Sequence, residues 1–278
     1  MFLQGRSYPR AGRGAPMRDL KLALVQRATA WHDPEGNREA LQATLATLPA
    51  GLDVVLLPEM FTTGFTMAMP ERGEPHPGPT VRWLTAQAQA LGAAVAGSVA
   101  VLDEGGAARN RFYFATPDGE VAFYDKRHLF RMADEHHHYT AGTARVVVAW
   151  RGWRLALQVC YDLRFPVFMR QRGDYDALLL VANWPAPRHA QWRALLPARA
   201  IENQCWLAAV NIVGEDGTGK AYRGGTTVID CLGQRHGELA ESPGVLFATF
   251  SASQLAAQRE AFPVGQDADA FVLGDGAS

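Results

Sequence analysis

A glutamate, a lysine and a cysteine each follow an apolar run of strand length. Glu59 ends DVVLLPE, Lys126 follows VAFYD, and Cys160 ends LALQVC. Because ligands of open α/β sheets gather at the carboxyl ends of strands, these side chains could converge although they lie far apart in the chain. A polar residue at a strand end is usually solvated, and an isolated cysteine is usually core packing. The prediction of a shared site therefore depends on all three together.

These residue types suit nucleophilic attack on a carbonyl carbon. Cysteine attacks as the thiolate, and a free thiol with a pKa of about 8.5 is mostly protonated at neutral pH. Glu59 could accept the thiol proton, and Lys126 could stabilise negative charge on sulfur and then on a tetrahedral intermediate. A helix beginning just after Cys160 would add backbone N–H groups, including that of Tyr161, as an oxyanion hole.

Three stretches resemble the signatures of the nitrilase (carbon-nitrogen hydrolase) superfamily: LLPEMFTTGF, YDKRHLF and CYDLRFP. ANWP at 182–185 and RAIENQCW at 199–206 resemble further stretches of its ω-amidase-like branch. The resemblance implies that Glu59 is the general base, Lys126 the oxyanion-stabilising cation and Cys160 the nucleophile. It also implies a second active-site glutamate, for which Glu135 is the candidate; a solvent-exposed loop carboxylate is the competing interpretation.

Five residues near these motifs are candidates for contact with substrate: Phe61, Met132, Arg164, Trp184 and Arg188. The three apolar ones could wall a pocket, although large apolar side chains are usually core. The two arginines could hold a substrate carboxylate by a two-pronged contact. For Arg164, an ion pair with Asp162 or another structural carboxylate is an interpretation at least as good.

The histidines offer two other kinds of chemistry. HHH at 136–138 could suggest a metal site, but adjacent side chains of an extended chain point to opposite sides, and no second cluster completes a ligand set. We therefore expect no metal. A Cys–His catalytic pair using His128 or His189 would leave the glutamate and the lysine without a role.

The composition predicts a globular protein that acts on small molecules. The chain has 278 residues, of which 48% are hydrophobic, enough for a sizeable core. Its net charge of -1 gives no general attraction to nucleic acid or anionic membrane, and no run of about eighteen apolar residues could span a bilayer. Three isolated cysteines, Cys160, Cys205 and Cys231, with no secretory signal, predict a reducing compartment, the cytoplasm.

Apolar runs of strand length alternate with amphipathic segments, which predicts an α/β fold. We predict strands over 20–26, 53–59, 93–102, 177–184 and 206–214, helices over 34–48, 79–92, 166–172 and 190–204, and a hairpin over 109–129. A single carbon-nitrogen hydrolase domain is expected over 17–262, between a disordered extension at 1–16 and a C-terminal tail at 263–278. The resemblance further implies the four-layer α-β-β-α sandwich of the nitrilase type, in a homodimer.

The predicted activity is that of a thiol amidohydrolase without metal or organic cofactor. The ω-amidase resemblance implies a linear amide such as 2-oxoglutaramate or 2-oxosuccinamate, cleaved to a 2-oxo acid and ammonia through a thioester of Cys160. The sequence leaves three other functions open. The protein could be a nitrilase or an N-carbamoyl amino acid hydrolase that uses the same triad, or a non-catalytic binding module of the same fold. The expected partner is the small-molecule amide, with neither nucleic acid nor membrane.

Overall fold

A computed structural model describes residues 2–3 and 17–274. The predicted extension at 1–16 therefore lies outside the described residues, apart from Phe2–Leu3. The strands are β1 Phe2–Leu3, β2 Leu20–Gln26, β3 Val54–Leu56, β4 Glu74–Pro75, β5 Ala94–Leu102, β6 Ala108–Ala115, β7 Val121–Asp125, β8 Val147–Trp150, β9 Trp153–Val159, β10 Ala177–Ala182, β11 Trp206–Asn211, β12 Val213–Glu215, β13 Ala221–Arg223, β14 Thr227–Ile229, β15 Arg235–Glu238 and β16 Gly244–Phe250. The α-helices are α1 Pro34–Leu45, α2 Pro79–Leu91, α3 Glu135–His138, α4 Pro166–Met169, α5 His189–Asn203 and α6 Ala252–Ala261.

The strands form two mixed sheets and one separate hairpin. The first sheet has the order β1-β7-β6-β5-β3-β2-β16, with β4 on β5, and the second has the order β15-β14-β11-β10-β9-β8. At the centre of the first sheet β2, β3 and β5 are parallel, and at the centre of the second β9, β10 and β11 are parallel. Each sheet therefore gathers the carboxyl ends of its central strands along one edge.

The alternation of side chains in the strands sets the order of the layers. In β2, Leu22 and Leu24 pack between the two sheets, whereas Ala23 and Val25 face the core under α1 and α2. The other face of the second sheet is covered by α5, whose Leu196 joins the same large core. The result is the α-β-β-α sandwich that the resemblance implied.

The structure departs from the predicted elements in two places that bear on the site. The predicted helix 166–172 is short, Pro166–Met169, because the Gln171 N–H donates to Asn203 Oδ1 of α5 at 2.8 Å instead of continuing the helix. The predicted strand 206–214 ends at Asn211, and the chain then forms the β12–β13 hairpin. Glycine-rich EDGTG at 215–219 is the turn signal for that hairpin.

The last part of the chain returns to the first sheet. The turn at 232–233 joins β14 to β15, whereas β16 pairs antiparallel with β2. Beyond α6, Leu273 packs against the core and the Gly274 carbonyl accepts a hydrogen bond from Arg127 at 2.9 Å. The domain boundary at 263 stays a prediction. In the described part of the chain, helices are too short or too polar to cross a membrane.

Candidate active site

The structure brings the three predicted catalytic residues and Glu135 together in a buried cluster. Glu59 follows β3, Lys126 directly follows β7, and Cys160 directly follows β9. Glu59 and Glu135 are 0% exposed, Lys126 is 1% exposed and Cys160 is 8% exposed. Because charged groups are almost never buried without partners, the polar contacts of this cluster decide what it can do.

Lys126 lies between two carboxylates. Its Nζ donates to Glu59 Oε1 at 3.0 Å and to the two carboxylate oxygens of Glu135 at 3.0 and 2.9 Å. The N–H of Phe130 donates to Glu135 Oε2 at 2.6 Å and fixes that carboxylate from the other side. Glu135 is thus a buried partner of the lysine, and the interpretation as an exposed loop carboxylate does not hold.

Two asparagines to which the sequence pattern did not point hold Glu59 in place. Asn110 Nδ2 donates to Glu59 Oε1 at 2.8 Å, and the N–H of Asn183 donates to Glu59 Oε2 at 2.6 Å. Asn183 Nδ2 also donates to the Glu59 carbonyl at 3.1 Å. Asn110 sits on β6 and Asn183 directly follows β10, so both sheets orient the carboxylate. The sequence signals near Asn183 are its place at the end of a buried strand and the resemblance of ANWP to the ω-amidase-like branch, and neither pointed to a contact with Glu59.

Cys160 occupies a sharp turn between β9 and a 3₁₀ helix over Cys160–Arg164. Its φ of 44° lies in the left-handed region, which is rare for residues other than glycine and marks strained backbone. Tyr161 stands in the first turn of the 3₁₀ helix, where N–H groups have no acceptor within the helix. Its N–H can therefore serve a ligand beside the thiol.

Asp162 secures this turn. Its buried carboxylate accepts the Val159 N–H at 2.9 Å and the Tyr124 hydroxyl at 2.7 Å. It also bonds His128 Nδ1 at 2.7 Å, and the His128 ring stacks on Phe165 at 3.8 Å between centroids. His128 is thus engaged with Asp162, which leaves no support for a Cys–His pair here.

Electrostatics keep the Cys160 thiol protonated in the resting site. Burial raises the pKa of Cys160 well above its usual range, and the Glu59 charge and hydrogen bond raise it further, against the opposing effect of Lys126. Burial alone would lower the pKa of Lys126, but Glu135 and Glu59 outweigh it and raise that pKa. Burial is also the main cause of the raised pKa of Glu135. A reaction at sulfur therefore requires a base that takes its proton, and the Glu59 carboxylate of the same buried cluster is the candidate.

A cavity of about 670 Å³ opens above Cys160. Four of the five predicted substrate-contacting residues line it: Met132, Arg164, Trp184 and Arg188. The Arg164 guanidinium lies 5.0 Å from the ring centroid of Trp184. The Arg188 guanidinium lies 5.4 Å from the ring centroid of Phe130 and contacts the Met132 sulfur. The alternative pairing of Arg164 with Asp162 is not observed, since Asp162 faces the turn described above.

Phe61, the fifth predicted residue, is not among the residues that line the cavity. Phe61 is 2% exposed and belongs to the core between the first sheet and its helices, where its ring centroid lies 5.9 Å from that of Trp83. The chain turns sharply at Met60, whose φ is 42°, and this turn directs Phe61 away from the cavity. The closeness of Phe61 to Glu59 in sequence therefore does not bring its ring to the cavity.

The histidine segment is helical, not extended as the sequence argument assumed. In α3 and the residue before it, side-chain ligand atoms of Asp134, His136 and His137 lie within 4.8 Å of one another. The His136 and His137 rings are 3.9 Å apart between centroids. The expected absence of a metal stays a prediction.

Comparison with known proteins defines the class. The sequence model of the carbon-nitrogen hydrolase family matches residues 21–260. The omega-amidase YafV of Escherichia coli (strain K12) is 50% identical over 258 residues, which cover 92% of this chain and all of that protein. The 2-oxoglutaramate amidase of Bacillus subtilis (strain 168) is 36% identical over 220 residues, which cover 77% of this chain and 84% of that protein.

A solved structure agrees with these sequence relatives. The crystal structure of XC1258 from Xanthomonas campestris, a CN-hydrolase superfamily protein with an arsenic adduct in its active site, superposes with a TM-score of 0.91 at 50% identity. The superposition covers 93% of this chain and 100% of the XC1258 chain. Fold and relatives together define an enzyme that hydrolyses carbon–nitrogen bonds. The chain belongs to the carbon-nitrogen hydrolase family, which confirms the family, the fold class and the enzyme class predicted from sequence.

Proposed function

We propose that this enzyme is an ω-amidase that hydrolyses small linear carboxylate-bearing amides, with 2-oxoglutaramate and 2-oxosuccinamate as the expected substrates. The observation that carries the proposal is the cavity itself: the Cys160 thiol, which belongs to the buried cluster of Glu59, Lys126 and Glu135, lies beneath a wall that contains arginines. The similarity to an omega-amidase and to a 2-oxoglutaramate amidase supports the same substrate class.

In the first half of the reaction, Glu59 takes the thiol proton as the Cys160 sulfur attacks the amide carbon. The bond between sulfur and carbon forms, and the carbonyl oxygen becomes an oxyanion. The Lys126 ammonium and the Tyr161 N–H stabilise that charge. Glu59 then gives its proton to the amide nitrogen, the carbon–nitrogen bond breaks, and ammonia leaves a thioester on Cys160.

In the second half, Glu59 takes a proton from a water molecule that attacks the thioester. The resulting oxyanion is held by the same two donors, the carbon–sulfur bond breaks, and the proton returns to sulfur as the carboxylic acid leaves. Glu135 does not exchange a proton in this scheme. Its carboxylate keeps Lys126 charged and directed towards Glu59, so Glu135 is a positioning residue.

Arg164 supplies the recognition of the substrate carboxylate. Its guanidinium lies over the Trp184 ring, 5.0 Å from the ring centroid, and no carboxylate partner binds it among residues 2–3 and 17–274. Arg188 lies on the same wall against Phe130. A planar guanidinium binds a carboxylate through two parallel hydrogen bonds, so this wall selects amides with a carboxylate at the far end.

A substrate panel tests the proposal. We expect ammonia release from 2-oxoglutaramate and 2-oxosuccinamate, and none from matched nitriles or N-carbamoyl amino acids. Arg164→Met should raise KM for the oxo-amides with a smaller effect on kcat. Preferred turnover of a nitrile, or of a carbamoyl compound with release of carbon dioxide, would replace the ω-amidase assignment by one of the two alternatives.

We also propose a homodimer in the cytoplasm. Exposed large apolar side chains, among them Val167 and Ile201 on the helix side of the second sheet, would be covered by a second copy. A free Cys160 thiol as nucleophile must stay reduced, which suits the cytoplasm. Light scattering at micromolar concentration should give twice the mass of the chain, and a monomer mass would contradict the dimer.

A further inference from the structure

The wall of the active-site cavity carries more positive charge than one carboxylate needs. Four cationic side chains line it, and none of the described lining residues is an aspartate or glutamate: the cations are Arg164, Arg188, Lys220 and Arg223. Arg223 is neutralised by Glu241, at 2.8 Å. Lys220 has no carboxylate partner within the described part of the chain, and the proposed substrate carboxylate already uses the Arg164 side of the wall.

Lys220 is held at the cavity by a well-anchored hairpin. The Asp216 carboxylate accepts the N–H of Lys220 at 3.1 Å and the hydroxyl of Tyr222 at 2.8 Å. Tyr222 is 5% exposed, lines the cavity, and pairs with Pro185 in a β-bridge. Gly217 packs so closely on Trp31 that a Cβ at this position would lie 2.2 Å from the indole. These contacts therefore fix the backbone of the turn, and the Lys220 side chain is exposed.

The size of the cavity leaves room for a longer ligand. Its volume of about 670 Å³ falls in the range of roughly 300–1,000 Å³ that accommodates drug-sized ligands. A five-carbon oxo-amide fills only part of it. Space and an unpaired cation thus remain on the hairpin side after the expected substrate is bound.

We propose that Lys220 forms an outer anion subsite, and that the enzyme accepts linear primary amides with a second carboxylate beyond the one held at Arg164. The inference rests on the proposed amidase function and extends its substrate class. Lys220 is exposed, and its ammonium is a compact charge on a flexible stem, so it binds a carboxylate without a fixed geometry. The contribution is that of an exposed ion pair, up to about fivefold in affinity.

Two probes that differ by one carboxylate test the subsite: N-succinamoyl-glutamate and N-succinamoyl-4-aminobutyrate. Each has a single primary amide at the same end. Lys220→Met should raise KM for the dianionic probe about fivefold at low salt, an effect that shrinks as salt screens the pair, and should change KM for the monoanionic probe by less than about twofold. Lys21→Met is the matched control, since Lys21 is an exposed lysine outside the cavity. It should change neither value.

Calorimetry separates this inference from the proposed function. The Cys160→Ala protein should bind N-succinamoyl-glutamate more tightly than its monoanionic partner, and Lys220→Met in that background should remove the difference. Equal affinities, or an equal loss for both probes, would overturn the subsite even if 2-oxoglutaramate is hydrolysed normally. Conversely, failure of the wild-type enzyme to hydrolyse any of the amides would contradict the proposed function. The difference in affinity between the two probes would still show whether Lys220 forms an anion subsite.

Discussion

At the scale of single residues, the site is a protonated thiol surrounded by charges that oppose its ionisation. Glu59 and Glu135 place negative charge near the Cys160 sulfur, and Lys126 only partly offsets them. The resting site therefore holds a thiol and not a preformed thiolate. Glu59, which raises the pKa of the thiol, is also the base that removes its proton when substrate binds.

Glu59→Gln should therefore separate thiol reactivity from turnover. The neutral amide no longer raises the pKa of Cys160, so the thiolate fraction at a given pH increases and alkylation by iodoacetamide becomes faster. Ammonia release should fall by about 10²–10⁴-fold because the general base is lost. Mass spectrometry of the Cys160 peptide and steady-state kinetics measure the two effects, with the exposed Glu120→Gln as control. Slower alkylation in Glu59→Gln would contradict the electrostatic description.

The sequence predicted the triad because each member ends an apolar run, but it could not settle the neighbours. Whether Glu135 is buried depends on the fold around it. Asn110 and Asn183 carry neutral amides whose role is visible only from their contacts with Glu59. Phe61 lies outside the cavity lining because one backbone turn, at Met60, decides which way its ring points.

At the scale of elements, the junction between β9 and the 3₁₀ helix determines where the sulfur and the Tyr161 N–H lie. Asp162 stabilises this junction with four hydrogen bonds. Asp162→Asn should lower the free energy of unfolding by about 2–3 kcal/mol, because a charged acceptor is lost at a buried site. It should also lower kcat more than it raises KM, because the oxyanion donor loosens.

Urea unfolding and steady-state kinetics on Asp162→Asn measure both effects. Asp267→Asn is the control, since the Asp267 side chain is exposed and removal of its charge should change stability by less than about 0.5 kcal/mol. Wild-type stability together with wild-type kcat in Asp162→Asn would show that the junction does not depend on this carboxylate.

Regular elements were predictable where local signals agree. In α2, the proline at the first helical position and the glycine after the last one mark both ends: the helix begins at Pro79, and Gly92, which follows it, adopts the left-handed conformation. The β12–β13 hairpin was missed because its strands are short and mostly exposed, so no alternation marks them. Its position over the cavity is a tertiary property, set by the bridge between Pro185 and Tyr222.

At the scale of the whole molecule, five buried tyrosines among residues 17–274 make the fold sensitive to alkali. Burial is the first cause of a raised pKa in each of them: Tyr113, Tyr124, Tyr139, Tyr175 and Tyr222. In the unfolded chain these phenols titrate near pH 10, so above about that pH the unfolded state releases protons that the folded state retains. Their contribution to stability is complete below pH 10 and is lost as the pH rises.

Stability should therefore fall above about pH 10, by up to about 1.4 kcal/mol per pH unit for each such group. Tyrosinate absorbance from these buried residues should appear in the same cooperative transition as the loss of the circular dichroism signal. A native far-ultraviolet spectrum in a protein with all its tyrosines ionised would contradict this expectation.

The measurement that most directly tests the role of Cys160 is ammonia release from 2-oxoglutaramate by wild type, Cys160→Ala and Cys231→Ala. Cys231 is a buried thiol away from the cavity and serves as the matched control. We expect wild type and Cys231→Ala to release ammonia at rates within about twofold of each other, since a distant buried thiol has no part in the chemistry, and Cys160→Ala to release none above background. Ammonia release that survives in Cys160→Ala would contradict the thioester mechanism.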